Sequence, residues 1–293
     1  MHPIITRLLS TAPVITDGAL GTQLQALGLP AGEHPDLWNL THPELVQKVA
    51  AGYVEAGSNI VLTNTFRSNR IALAAHGGAE KVEELNAAGV RLARAAAGKN
   101  VAVFASMGSS GKMLMSGDVS EEELDEAFTE QAAALAKAGV DAIAIETMTD
   151  LDEAVIALKS AKKTGLPVIV TMVFDSGKDK DRTMMGKTPE EVARTLTDAG
   201  ADVIGANCGL GIEGYIPVAR RLKQATELPI WIKPNAGLPE LVEGKLTYRT
   251  TAAQFAARVP ELRAAGADFI GGCCGTTPEF IREIVAALKV PGS

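Results

Sequence analysis

Cysteine is scarce in this chain, with three in 293 residues. An odd number, two of them adjacent, makes no disulfide framework and points to a reducing cytoplasm. Long apolar runs are missing too. None approaches the roughly 20 residues of a membrane span, and the first ten residues lack the apolar centre of a signal peptide. Basic charge is not in excess: 28 Lys and Arg face 35 Asp and Glu, a net charge of −7. Short clusters such as Lys162-Lys163 and Arg220-Arg221 are scattered, which argues against nucleic acid or an anionic membrane as partner. Aromatics are few, at seven Phe, three Tyr and two Trp. No low-complexity linker or composition break divides the sequence, so residues 1–293 read as one domain.

What the chain does have is repetition. An apolar run ending in small or polar residues recurs eight times, beginning at Val14, Asn59, Val101, Ala142, Val168, Val203, Ile230 and Phe269. Such near-continuous apolar runs suit parallel strands covered on both faces. Helical patterns lie between them, among them 121–138 and 188–199. Four runs follow one signature: Ala56-Gly57-Ser58-Asn59, Ala138-Gly139-Val140-Asp141, Ala199-Gly200-Ala201-Asp202 and Ala265-Gly266-Ala267-Asp268. A helix ends there, glycine supplies a left-handed cap, and a strand starts. Eight strand-helix units predict an α/β fold, a single (β/α)8 TIM barrel, with a doubly wound open sheet as the alternative. Longer connections at 107–119 and 175–186 and the insert 30–44, with Trp38 and His42, belong to the C-terminal face. The Gly- and charge-rich segment 175–186 is expected to be mobile and to act as a lid.

Active sites of such barrels lie at the C-terminal strand ends. The polar residues there are Asp17, Asn64, Ser106, Glu146, Asn207, Cys208, Asn235, Cys273 and Cys274. Taken singly, Asn64, Ser106 and Asn207 fit equally well as helix caps or as partners of loop amides. The cysteines are different. All three close strands, in Asn207-Cys208-Gly209 and in Gly271-Gly272-Cys273-Cys274-Gly275-Thr276-Thr277-Pro278. Three thiolates converging on one point predict a zinc site with one open position. Their charge leaves the metal a poor Lewis acid toward water but suited to a fourth sulfur, whose proton it would displace near neutral pH. The implied chemistry is alkylation of a substrate thiol. Asp17 and Glu146 together can receive an ammonium group, and the amides of 17–22 a carboxylate, so an amino-acid thiol fits. Asp17 can alternatively be an ordinary helix cap. An aldolase or dehydratase barrel would need a strand-end lysine, for which Lys233 is the one candidate.

Asp17-Gly18-Ala19-Leu20-Gly21-Thr22, Thr63-Asn64-Thr65-Phe66, Glu146-Thr147, Gly205-Ala206-Asn207-Cys208 and the double-cysteine stretch resemble the homocysteine S-methyltransferase family, from about Val14 to Ile284. The resemblance implies a zinc-bearing (β/α)8 barrel that methylates homocysteine to methionine. It implies Zn2+ on Cys208, Cys273 and Cys274, and homocysteine contacts from Asp17, Gly18, Ala19, Ser106, Glu146 and Asn235. For the methyl donor, Gly275 and Thr63-Asn64-Thr65-Phe66 look like the methionine synthase and bacterial betaine-type groups; the S-methylmethionine group usually carries arginine at the place of Gly275. Arg67 and Thr147 stand where animal betaine enzymes carry tyrosines. The expectation is a small onium donor, betaine-type first, entering between Trp38, Phe66 and 175–186. The alternatives are S-methylmethionine, or a methylated corrinoid protein with this chain as the homocysteine half of a split methionine synthase. Nothing in the sequence sets the oligomeric state.

Overall fold

The structure is a computed structural model that describes residues 1–242 and 245–289. Eight parallel strands form one sheet: β1 (Val14–Ile15), β2 (Ile60–Leu62), β3 (Ala102–Met107), β4 (Ala142–Met148), β5 (Val168–Met172), β6 (Val203–Gly211), β7 (Ile230–Asn235) and β10 (Ala267–Ile270). A separate antiparallel hairpin, β8 (Glu240–Val242) and β9 (Lys245–Thr247), follows β7. The sheet order β1-β10-β7-β6-β5-β4-β3-β2 is that of a (β/α)8 barrel, not a doubly wound sheet. The seam between β1 and β2 is bridged by Asn59, whose N–H donates to Ile15 O at 2.7 Å and whose Oδ1 accepts from Ile15 N at 2.8 Å.

The four helix-to-strand signatures do more than cap. Gly57, Gly139, Gly200 and Gly266 all take positive φ, as a left-handed cap requires. The polar residue at the end of each signature then accepts an N–H from the neighbouring strand. Asp141 accepts from Val103 at 2.8 Å, Asp202 from Val168 at 2.8 Å and Asp268 from Ile230 at 2.9 Å, as Asn59 does from Ile15. The signature thus ties neighbouring strands together in pairs at the bottom of the barrel.

Period-2 alternation sorts side chains between two cores. Ile60, Ala102, Phe104, Ala142, Ala144, Val203, Trp231 and Phe269 fill the barrel interior, with Ile5 of the N-terminal helix Pro3–Leu9 in the same cluster. Val61, Val103, Ile143, Ile145 and Val170 pack outward against the helices. Trp231 stacks between Phe104 and Phe269, at centroid distances of 6.1 and 5.3 Å. A Cβ on Gly205 would lie 1.8 Å from Trp231 O, so β6 reaches β7 only with glycine there. The same alternation carries the inward rows on from Phe104 to Ser106, from Ala144 to Glu146 and from Trp231 to Lys233, at the top of the barrel.

The segment 175–186 is pinned. Ser176 and Arg182 exchange backbone hydrogen bonds at 3.0 and 3.2 Å, Thr183 is buried, and Asp181 pairs with Arg221. No helix among the described residues is long and apolar enough to cross a membrane.

Candidate active site

A cavity of about 270 Å3 opens at the C-terminal ends of the strands. Its lining includes Asp17, Gly18, Ala19, Ser106, Glu146, Cys208, Cys273 and Cys274. The strand ends are irregular where it matters. Register shifts fall between Ile145 and Met148 on β4 and between Asn207 and Gly211 on β6. Thr147 and Cys208 both adopt left-handed backbone, at φ 61° and 62°. Such conformations cost of order 1–3 kcal/mol and persist only where neighbours over-determine them. Here the fixing residue is Asn207. Its Oδ1 accepts from Thr147 N and from Thr171 Oγ1, each at 2.7 Å, and its Nδ2 donates to Thr147 Oγ1 at 2.7 Å. The same Nδ2 lies 3.7 Å from Cys273 Sγ.

The three cysteine sulfurs all lie within 4.8 Å of one another, and Sγ of Cys208 is 3.9 Å from that of Cys274. Backbone hydrogen bonds hold the double-cysteine stretch. Cys273 N donates to Pro234 O at 2.7 Å, Ala236 N to Cys274 O at 2.9 Å, and Thr276 Oγ1 to Cys273 O at 2.7 Å. Mutual hydrogen bonding and burial keep the thiols protonated. For Cys208 the bond with Cys273 pulls its pKa down, but the bond with Cys274 and burial outweigh it and push the group up to about 11. Cys274 is pushed up to about 12: its bond with Cys208 lowers it, while its bond with Cys273 and burial raise it further. Cys273 is raised most strongly by its hydrogen bond with Cys208. Three converging sulfurs are a donor set matched to a divalent, soft-tolerant cation. Asn235, expected among the substrate residues, does not line the cavity. It is buried between Pro234 and Ala236, and its Oδ1 has no hydrogen-bond partner, a further unused acceptor beside the cysteine backbone.

The carboxylates part company. Asp17 is not a helix cap: Leu20 precedes the helix Gly21–Ala26 without a side-chain cap. Its Oδ2 accepts from Leu62 N at 2.7 Å and its Oδ1 from Lys233 Nζ at 2.6 Å, with both side chains only 3% exposed. Asp17 is thus already ion-paired, and Lys233, expected only of an aldolase, is its counter-ion. Glu146 remains available. It is half-buried at the cavity, and its Oε1 accepts from Ser106 Oγ at 2.5 Å. Burial raises its pKa, opposed by the charge of Lys233 and by the Ser106 bond. Ala19 N donates to Thr276 Oγ1 at 3.1 Å, while the N–H groups of Gly18, Leu20 and Gly21 along the same wall donate to no described residue.

The mouth differs from expectation. Trp38 is buried, stacks on His42 at 4.3 Å and donates Nε1 to Glu33 at 2.9 Å, so it faces away from the cavity. No residue of 175–186 lines it either, because that segment is bonded to itself and to Arg221. The wall is instead Pro35, Asp36, Asn64, Phe66 and Arg67. Asn64 holds this wall in place by donating to Pro35 O at 2.9 Å. Sequence singles out Arg67 only as standing where animal betaine enzymes carry a tyrosine, and Asp36 carries no motif of its own. Tyr248 is another such residue. Its ring covers Gly275, where a Cβ would lie 2.2 Å from the ring.

Residues 14–288 match the family model described as homocysteine S-methyltransferase. The methionine synthases of Mycobacterium leprae and Mycobacterium tuberculosis are each 29% identical, over 98% and 96% of this chain. The chain spans about a quarter of the length of these relatives (25% of each). The crystal structure of the homocysteine methyltransferase MmuM from Escherichia coli in its metallated form superposes with a TM-score of 0.80 at 25% identity, covering 96% of this chain and 99% of that one. The match along nearly the whole barrel, on a cavity walled by three cysteines, places this chain in the homocysteine S-methyltransferase family.

Proposed function

We propose that this chain transfers a methyl group from a small onium donor to the thiol of L-homocysteine, giving methionine, with zinc held by Cys208, Cys273 and Cys274. The observation that carries the reading is the shared cavity: three converging thiols, the Glu146 carboxylate held by Ser106, and the N–H groups of Gly18, Leu20 and Gly21. Zinc bound there would supply the positive charge that turns a homocysteine thiol into a thiolate at neutral pH. The rest is positioning by the chain. Glu146, held by Ser106, receives the substrate ammonium. The N–H groups of Gly18, Leu20 and Gly21 receive its carboxylate. Asp17 contributes through Lys233 and Leu62, keeping β1 and its amides in place instead of pairing with the ammonium directly. Asn235 offers its free Oδ1 within the same backbone. The sulfur then attacks the donor methyl in line: the S–CH3 bond forms, and the donor's C–N or C–S bond breaks with its electron pair returning to the onium atom. The thiol proton leaves to solvent. The three free thiols suit a reducing cytoplasm.

Glycine betaine is the first-choice donor and S-methylmethionine the second. A second reading is favoured by the likeness to the methionine synthases: a methylated corrinoid protein would deliver the methyl group. The test is zinc-loaded protein with homocysteine in separate tubes containing betaine, S-methylmethionine or methylcobalamin. Methionine from an onium tube is expected. Methionine from methylcobalamin alone replaces the onium reading with the second one.

A further inference from the structure

The hairpin β8–β9 stands outside the barrel sheet, yet its exit carries a residue to the thiols. Tyr248 follows β9 directly. A Cβ on Gly275, the residue after Cys274, would meet Cγ of the Tyr248 ring at 2.2 Å and its two Cδ atoms at 2.5 and 2.7 Å. Gly275 also takes positive φ, at 81°. Glycine therefore answers two demands at once, a left-handed turn and an aromatic ring laid against it.

The ring is held in place from several sides. Tyr248 is half-buried and packs against the core between strands and helices. Its neighbour Arg249 pairs with Glu240 of β8. Thr250 N donates to Ala236 O at 3.3 Å, and Ala236 is the residue whose own N–H holds Cys274 O. Thr251 then opens the helix Ala252–Ala257 with a capping box. The phenol lies in the field of the sulfurs: burial holds its pKa well above the usual tyrosine range, and the charge of Cys274 adds to this.

The side from which the ring approaches is informative. Cys208, Cys273 and Cys274 line the cavity, whereas Tyr248 is not among its described lining residues. The ring thus lies on the double-cysteine turn from outside the cavity. All three cysteines are only partly buried. A metal shell with an open position takes whatever ligand reaches it, so the side that is closed decides which ligand that is.

Building on the zinc reading above, we infer that Tyr248 is a positioning residue that closes the outer side of the thiol cluster, so that a fourth ligand reaches it only through the substrate cavity. It acts through Cys274 and the turn at Gly275 and touches no substrate. The test compares the full-length parent with Tyr248→Ala and Tyr248→Phe. In metal-free, reduced protein, labelling by iodoacetamide is read at each cysteine by mass spectrometry. Tyr248→Ala is expected to raise the labelling of Cys274 relative to Cys208. Tyr248→Phe keeps the ring and should keep the parental ratio. In zinc-loaded protein, saturating homocysteine fills the cavity and should slow the release of zinc to a chelator in the parent and in Tyr248→Phe. In Tyr248→Ala release should stay fast despite homocysteine, and zinc affinity should fall about 10- to 100-fold, the usual effect of a residue beneath a metal shell. A merely structural role would lower the unfolding temperature and leave the labelling ratio unchanged. A parental ratio with full protection by homocysteine in Tyr248→Ala overturns the inference. So does Tyr248→Phe behaving like Tyr248→Ala, since the ring would then not be the cover. A parent that binds no zinc overturns the zinc reading instead, and the labelling ratio of the metal-free protein still decides whether Tyr248 is the cover.

Discussion

The two walls of the cavity are built on different principles. On the sulfur wall, Cys273 and Cys274 stand on backbone bonded to Pro234, Ala236 and Thr276, and Asn207, next to Cys208 in the chain, braces the strand ends. Tyr215 adds a hydrogen bond from its hydroxyl to Asn207 O at 3.0 Å. The other wall is made of side chains that follow β2, Phe66 and Arg67, and of Pro35 and Asp36 from an insert that Asn64 holds. One wall is set by the barrel's own strand ends, the other by what the connections carry. The barrel can therefore retain its thiol chemistry while the facing wall changes the partner molecule, the general pattern of function carried on loops over a rigid scaffold.

The sharpest way to break the comparison is to remove a sulfur. Cys208→Ala, Cys273→Ala and Cys274→Ala are each expected to lose most of the bound zinc, measured by elemental analysis of purified protein. Their circular dichroism should stay close to the parent, because the core lies below the site. A full complement of zinc in any one variant would remove that cysteine from the metal shell.

Next in size is Glu146→Gln. A carboxylate paired with an ammonium in a desolvated site is worth roughly 2–5 kcal/mol on truncation. Homocysteine binding by calorimetry should weaken by an amount in that range with zinc content unchanged. Unchanged affinity would mean that Asp17 gives up Lys233 and takes the ammonium itself.

Most of the sulfur wall was legible in the sequence, because thiols at strand ends are a rare and local pattern and glycine caps mark where each strand starts. The roles of the carboxylates were only half legible. Asp17 and Glu146 stand at equivalent strand ends, yet Lys233, 216 residues away in sequence from Asp17, takes one of them and leaves the other free. Asn235 shows the same limit, since a strand-end position does not say whether a residue is among those that line the cavity. The facing wall was misread at Trp38 and at 175–186. Trp38 lies on a short helix that packs inward, and the charge of Asp181 is consumed by Arg221 instead of remaining free at the mouth.

Asp36 tests the facing wall through pH. Burial is the main cause that pushes its pKa up to about 6, against 3.8 for an ordinary aspartate, despite the hydrogen bonds from Ser68 and Arg67. The folded state thus holds this proton more tightly than the unfolded chain. Its contribution is most favourable below pH 4 and declines as pH rises through about 6. A two-unit shift corresponds to about 3 kcal/mol. Asp36→Asn lacks that titration. The unfolding free energy of the variant, measured by denaturant titration, should therefore gain on the parent between pH 4 and 7. A difference independent of pH would show that Asp36 keeps its ordinary acidity.

The smallest expected effect returns to the sulfur wall and asks whether its bracing matters to the metal. Among the described residues Asn207 supplies the one side-chain N–H directed at Cys273 Sγ, and it ties together the left-handed Thr147 and Cys208. Residues beneath a metal shell typically change affinity by about 10- to 100-fold when replaced. Asn207→Ala would also strand the donors of Thr147 and Thr171, so a loss of metal there mixes with a loss of fold. Asn207→Asp separates the two. Its carboxylate still accepts from Thr147 N and Thr171 Oγ1, but it has no N–H for Cys273 and brings a negative charge beside three thiolates. Zinc affinity by chelator competition should fall by at least about tenfold, and the sulfur-to-cobalt charge-transfer band of the cobalt-substituted protein should shift, while thermal unfolding of the metal-free protein moves little. Parental affinity and an unshifted band would reduce Asn207 to a residue that shapes the strand end, and would leave the thiol wall to be explained by the three cysteines and their backbone alone.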